Sequence, residues 1–572
     1  MSDTSAELVA QASAFTPISL RDHVAARVVQ PDYPDWLDHI TPAAACTRPV
    51  RLAGDLFTVR GAADGGAQII GHTPTGHLPD GVIYKACGNR RASLCPACAR
   101  TYQRDAYQVL RTMLVGGKGV PGTVASHPAA FVTLTAPSFG TVHTRAVRRH
   151  TCTNRRRCDC RAEPCHARST GPNRCEHGQP AVCWARHDDG DQVLGQPLCL
   201  DCYRHAEHVV WNLFSTELWR RTSIALGRAL GRRCQALGIP FHLVHGADGR
   251  PKRLSPVRFT YGKVAEYQRR GLVHYHLLIR LDGYNPADPD TAVPPPAPLA
   301  YQDLHDAIST AVASTSFRTP AHPDRLDGWP MTWGDLAKGT DIRQIALTGT
   351  DAITDSQVAG YMAKYATKST ESTGHFSTRL TPDTVEQYAD ATGDHNARLI
   401  HACWHLGRRI PGPDEAWKCP DCRTWTRLAA CPHCDRRCQP RVDIRSTDGD
   451  KPNPYEGLRR AAHKLGFNGH FLTKARRHPV TFGVLRANRV VFRRTVDATG
   501  PEQPIRLADH LDEETTLVIG LLTFAGVGWR TIGDAALANT AAAMARARAD
   551  AAREELAHEL GSTLSGQTPV AA

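Results

Sequence analysis

Apolar and polar positions change period several times along this chain, and each change marks an element. FVTLTAP, residues 131–137, is a short β-type run bounded by Pro and Gly. Leu218, Ile224, Leu226, Leu230 and Leu237 recur near helical spacing and predict an amphipathic helix over 217–238. The β-type runs over 257–281 flank Arg269, Arg270 and Gly271 and predict a hairpin that turns at those residues. A proline-rich linker centred on PADPDTAVPPPAP follows. Beyond it come a strand over 341–347 and a helix over 354–370, opened by the capping-box signature Thr354-x-x-Gln357. Residues 101–114 and the Ala-rich 534–560 read as helices, and no fixed-period repeat is present. Four regions are expected: 1–125; a central region 126–370 interrupted at 150–205; 371–500 with an insert at 415–440; and a helical tail, 501–572.

Composition narrows the class. At 572 residues the chain has length for about two to four folding units. MSDTSAELVAQAS has no basic n-region or long apolar run, so a secretory signal is not expected. The longest apolar stretch, 517–527, falls short of the roughly 20 residues of a membrane helix, and a cytoplasmic protein is expected. The 19 cysteines are odd in number and several form Cys-x-x-Cys pairs, a pattern that in a reducing compartment points to zinc rather than disulfides. A net charge of +13 and a pI near 9.0 suit a polyanionic partner.

Candidate chemistry lies in the hairpin. In GLVHYHLLIRL, His274 and His276 are two apart on a strand, so both imidazoles project from one face and Tyr275 from the other. With the turn centred on Arg270, Glu266 of the preceding strand lies across from His274 on that same face. Two imidazoles and a carboxylate make a divalent-metal site with positions open to substrate oxygens. The plainer reading of a lone H-x-H is a pair of ordinary strand histidines. In VAGYMAKYATKST, Tyr361 and Tyr365 stack at i, i+4 on one helix face, with Lys364 and Lys368 at the same spacing one step round. A phenol of ordinary pKa near 10 needs help to act as a nucleophile, and lysines plus a metal-held phosphate supply it. Alone, that helix reads equally as two half-buried tyrosines beside a solvated lysine edge.

Together, and in this order, FVTLT, H-hydrophobic-H and Y-x-x-x-Y-x-x-K form the three-motif signature of the HUH endonucleases. The chain resembles their rolling-circle replication initiators, most closely those of actinobacterial plasmids. Further resemblance lies in CGNRRASLCPACA, GQPLCLDCY and GFNGHFLTKARRHPVTFGVLR, so that it covers about residues 45–490. It implies an α+β catalytic domain of RRM/ferredoxin-like core, a central antiparallel sheet flanked by helices, here with inserted zinc modules. It also implies Mg²⁺ or Mn²⁺ on His274 and His276, with Glu266 nominated as third ligand by the hairpin. A tyrosine would displace the 3′-oxygen of the scissile phosphate, leaving a 5′-phosphotyrosine and a 3′-OH that primes synthesis. Tyr365 is the first choice, and Tyr361 either takes a second strand transfer or supports the first. Plasmid origin DNA, single-stranded or in a hairpin at the nick, and a host helicase and polymerase are the implied partners. Transposases and relaxases share this chemistry, although no G-x-x-x-x-G-K-[ST] phosphate loop of a fused helicase is present. A zinc-dependent DNA-binding regulator without enzymatic activity is the alternative from another class.

Three cysteine sets are candidates for structural zinc: Cys46 with Cys87, Cys95 and Cys98; Cys175 and Cys183 with Cys199 and Cys202; and Cys419, Cys422, Cys431 and Cys434 in paired CPDC and CPHC knuckles. Cys152, Cys158, Cys160 and Cys165 form a further set or compete for the second, as do His166 and His177. For phosphate contact the candidates are Lys474, Arg476 and Arg477, with Arg145, Arg148, Arg149 and the run 155–157.

Overall fold

The computed structural model describes residues 19–61, 67–147, 162–167, 171–246, 248–345, 354–367, 378–408, 417–422, 425–426, 430–431, 433–440, 453–487 and 516–565. Two compact units result, one of 1–105 with 483–572 and the other of 106–482. The division falls near 105 and 483, whereas the sequence pattern suggested 125, 370 and 500. Among the described residues no helix is long and apolar enough to cross a membrane.

The larger unit is built on a five-stranded antiparallel sheet. The elements that form or flank the site are β1 (Ala129–Leu134), α1 (His205–Ala236), β2 (Val257–Tyr267), β3 (Val273–Gly283), β4 (Thr340–Gln344), α2 (Asp355–Tyr365), α3 (His395–Leu406) and β5 (Leu472–Lys474). The strand order is β4-β1-β3-β2-β5, which puts β3 at the centre. Every residue of β3 except His274 is buried. Tyr275, Leu277, Ile279 and Leu281 of β3 join Trp211, Leu218, Leu226 and Leu230 of α1 in one core. Each such side chain contributes about 1.5–3 kcal/mol on leaving water. Three polar side chains at this core are paired: Ser215 Oγ lies 2.8 Å from Tyr275 Oη, and Asn212 Nδ2 donates to the carbonyls of Gly271 and Leu465.

Helix α1 begins at His205, well before the predicted 217. Its first turns bury His208, Asn212 and Ser215 beside Val209, Val210 and Trp211, and those polar residues interrupt the apolar stripe that a periodicity reading follows. Helix α2 ends at Tyr365, short of the predicted 370, and 368–370 lie outside the described residues. The predicted 341–347 strand is β4.

In the smaller unit, strand Val50–Gly61 pairs antiparallel with Ala67–Pro74, Ile83–Lys85 and Thr516–Val527. The apolar stretch in the expected helical tail is therefore partly a sheet strand, followed by helix Ile532–Ser565. Asp80 sits at the hub of this unit, 2.8 Å from Arg27 and from Trp36 Nε1 and 2.9 Å from Tyr84 Oη.

Candidate metal and tyrosine centre

The β2–β3 turn sets the register of the site. Gln268 and Leu272 close it with a backbone bond of 2.9 Å. Gly271 takes φ +82°, where an added Cβ would also meet Leu465 Cδ1 at 2.5 Å. Glu266 then pairs with His274, and Val264 with His276. Nε2 of His274 and Nε2 of His276 each lie 3.2 Å from Glu266 Oε2. One ligand atom from each of the three residues falls within 4.8 Å of the others. Glu266 and His276 are buried, at 8% and 3% exposure, while the His274 side chain is 16% exposed. The cluster thus has one accessible side.

A residue that the sequence reading did not single out orients the cluster. Thr133, in the FVTLT strand β1, lies opposite His276, with its Oγ1 3.1 Å from His276 Nδ1. A partner at Nδ1 leaves Nε2 directed at the site and fixes the ring's orientation. Phe131 stacks on the same ring at 5.7 Å.

Helix α2 brings the tyrosines to this point. Its Thr354–Gln357 capping box is formed in both directions, and Val358, Ala359, Met362 and Ala363 bury its inner face. The Tyr361 ring lies 5.1 Å from that of His276, the Tyr365 ring 5.8 Å, and the two phenol rings 4.4 Å from each other. Burial, then the neighbouring Tyr365 and Glu266, push the Tyr361 phenol above its ordinary pKa. Lys364 is exposed, with Nζ 6.0 Å from the Tyr365 ring. Lys368 lies outside the described residues.

Four Cys/His groups bring their donor atoms within 4.8 Å of one another. Cys46, Cys87, Cys95 and Cys98 converge in the smaller unit, with Sγ–Sγ distances of 3.7 and 3.8 Å. Cys419, Cys422, Cys431 and Cys434 converge at 3.3 to 3.9 Å. The second predicted set is corrected. Cys175, Cys199 and Cys202 converge on His177, not on Cys183, with His177 Nδ1 3.2 Å from Cys202 Sγ. Cys183 is drawn away by its antiparallel bridge to His166, which carries it beside Cys165. There it meets His143 and His187 in a fourth group. His166 itself bonds the Val142 carbonyl at 2.8 Å. Spacing failed here because His143 and His187 belong to no Cys-x-x-Cys pair. Cys152, Cys158 and Cys160 lie outside the described residues.

The basic candidates separate. Lys474 Nζ, part-buried, donates to the His478 carbonyl at 2.5 Å and so braces its own turn. Arg476 and Arg477 are exposed, the latter over the Tyr284 ring at 5.6 Å. Arg145 pairs with Asp189 at 3.0 Å, and Arg148, Arg149 and 155–157 lie outside the described residues.

No solved structure matches this chain. A replication initiator protein of Streptomyces ambofaciens is 33% identical over 537 residues, covering 93% of this chain and 94% of that one. The sequence profile of the RepSA family, described as "Replication initiator protein, pSAM2", matches residues 32–543. Both matches run through the hairpin, the tyrosine helix and all four Cys/His groups, and the chain belongs to this family of plasmid replication initiators.

Proposed function

We propose that this replication initiator nicks its plasmid origin by HUH-type chemistry and stays joined to the DNA through tyrosine, starting rolling-circle replication. The observation that carries the reading is the placement of two phenols, five to six ångström by ring centre, over His276 of the Glu266–His274–His276 cluster. Octahedral coordination with bonds of about 2.1 Å separates neighbouring donors by about 3.0 Å, so the 3.2 Å separations here fit a small divalent ion. When bound, Mg²⁺ or Mn²⁺ supplies Lewis-acid polarisation of the scissile phosphate.

The chain's own groups do the rest. Tyr365 Oη attacks phosphorus; the new bond is Oη–P, the bond broken is P–O3′, and the phenol proton leaves as the 3′-oxygen gains one. The product is a 5′-phosphotyrosine beside a primer 3′-OH. Lys364, with Lys368, offsets the charge that builds on the phosphate oxygens. Tyr361, one helical turn away, takes the second transfer that ends a round or supports the first. The four Cys/His groups hold structural zinc, and Arg476 and Arg477 contact origin phosphates. Host helicase and polymerase then act on the exposed strand and its 3′ end.

The test is nicking of supercoiled plasmid carrying the origin, with Mn²⁺ or EDTA, for wild type, Tyr365→Phe and Tyr361→Phe. Denaturing gels follow protein-bound DNA. A metal-dependent nick whose covalent adduct disappears in Tyr365→Phe and persists in Tyr361→Phe is expected. Loss only in Tyr361→Phe would reverse the two roles, and tight DNA binding with no nick at all would sink the enzymatic reading.

A further inference from the structure

We propose that His143, Cys165, Cys183 and His187 form a Cys₂His₂ zinc site whose loading positions the turn of the hairpin that carries Glu266, His274 and His276. His143 Nδ1 lies 3.2 Å from His187 Nε2 and 3.9 Å from Cys165 Sγ, and Cys183 Sγ lies 3.6 Å from His187 Nε2. Tetrahedral zinc with Zn–N near 2.05 Å and Zn–S near 2.3 Å requires donor separations of about 3.3 Å for N–N and about 3.6 Å for N–S. The donor set is closed, two thiolates and two imidazoles, as in structural sites.

Beyond the ligands lies the link to the hairpin. His187 Nδ1 is 2.6 Å from Asp191 Oδ2, the carboxylate–histidine arrangement that orients zinc-binding imidazoles. The backbone carbonyls of Asp189 and Asp191 both accept from the Arg269 guanidinium, in the β2–β3 turn. The other imidazole leads to the same place. Gly195 donates its N–H to the His143 carbonyl at 2.8 Å, and at φ +88° it lies so close to the turn that a Cβ there would sit 2.7 Å from Arg269 C and Arg270 N. Across the turn, His395 Nε2 of α3 lies 2.9 Å from the Arg270 carbonyl oxygen. Arg398 of that helix pairs with Asp201 at 2.6 Å, and Asp201 sits between Cys199 and Cys202 of the neighbouring group. Gln268 and Leu272, which close the turn, stand two residues from Glu266 and His274. A shift of the turn therefore moves two of the three hairpin ligands, and the insert's fold, held by metal, is what stops that shift.

The positioning half of this proposal rests on the hairpin's being a metal site; the zinc half does not. The experiment uses the full chain throughout. Zinc content is measured by elemental analysis for wild type, Cys183→Ser, His187→Ala and His187→Cys. Each of the first two variants should hold one zinc fewer than wild type, and His187→Cys, which keeps a zinc donor, should restore it. Unchanged zinc in both Cys183→Ser and His187→Ala would overturn the site. Mn²⁺ affinity at the hairpin is then read by the paramagnetic resonance of free Mn²⁺. Arg269→Ala keeps all four zinc ligands and the Asp191 carboxylate behind His187; its zinc content should stay at the wild-type level while the Mn²⁺ Kd rises about tenfold or more. Wild-type Mn²⁺ affinity in Arg269→Ala would overturn the positioning role. Glu266→Gln is the separate control: if it leaves Mn²⁺ binding intact, the hairpin reading fails while the zinc result still stands.

Discussion

At the residue scale, the site depends on which atom of each imidazole is left free. His276 has one nitrogen at Thr133 and the other at Glu266, so its ring has little freedom to rotate. Thr133 is thus a positioning residue that never needs to touch DNA. Replacing it with Val keeps the shape and removes the hydroxyl. Outer-shell changes of this kind cost about 10- to 100-fold in metal affinity or activity. Thr133→Val should therefore raise the Mn²⁺ Kd by about that factor with the fold intact by circular dichroism, and Thr133→Ser should recover most of it. Equal Mn²⁺ affinity in Thr133→Val and wild type would show that Phe131 stacking alone holds the ring. His274, its side chain 16% exposed, lies at the accessible edge of the cluster.

At the element scale, β2 carries one group that works against the fold. Lys263 is buried on the opposite face from Glu266, its Nζ 3.8 Å from the centre of the Tyr275 ring. Burial brings its ammonium down to about 7, against an unfolded value near 10.4. The unfolded chain then binds more protons than the folded one between those values, so stability rises with pH from about 7 to about 10. Chemical denaturation across that window should show the rise in wild type and lose it in Lys263→Met. At neutral pH the same variant should be more stable than wild type by an amount on the order of a few kcal/mol, because a poorly solvated charge is replaced by apolar volume. A flat wild-type profile would mean that the ammonium keeps its water. The elements differ in how far the sequence disclosed them, for physical reasons. The hairpin was legible because side-chain alternation and a three-residue turn leave one register, and that register puts Glu266 across from His274. The start of α1 was hidden because Asn212 and Ser215 are buried polar residues, satisfied by partners on Gly271, Leu465 and Tyr275 that no local pattern reveals. Cys183 was misassigned for a related reason: its neighbours are fixed by a bridge to His166, and imidazole donors carry no spacing signature of their own.

At the scale of the whole molecule, the smaller unit is assembled from both ends of the chain, a pairing that no local periodicity announces. Strand Thr516–Val527 pairs along Val50–Gly61 from Val50–Val527 to Arg60–Thr516, with one register shift between Arg51 and Leu52. Trp529 stacks on Tyr84 at 5.0 Å and donates to the Cys46 carbonyl at 2.9 Å. Asp534, 1% exposed, pairs with Arg27 at 2.8 Å, and Ala538 joins Trp36, Ile40 and Tyr84 in the unit's core. Ending the chain at Phe482 would remove all of this at once. It would bare the edge of Val50–Gly61, leave Arg27 with Asp80 alone, and open the core over Trp36. The Cys46–Cys87–Cys95–Cys98 group keeps its ligands in such a chain but loses the Trp529 contact that fixes Cys46. Limited proteolysis of the shortened protein should therefore cleave readily within residues 19–105, with zinc content down by one, while 106–482 persists as a resistant fragment. The larger unit's sheet, hairpin and tyrosine helix lie wholly within that fragment. If 19–105 instead stayed protected and zinc-loaded, the four cysteines alone would suffice to fold it, and the terminal strand would be an addition to a unit already formed.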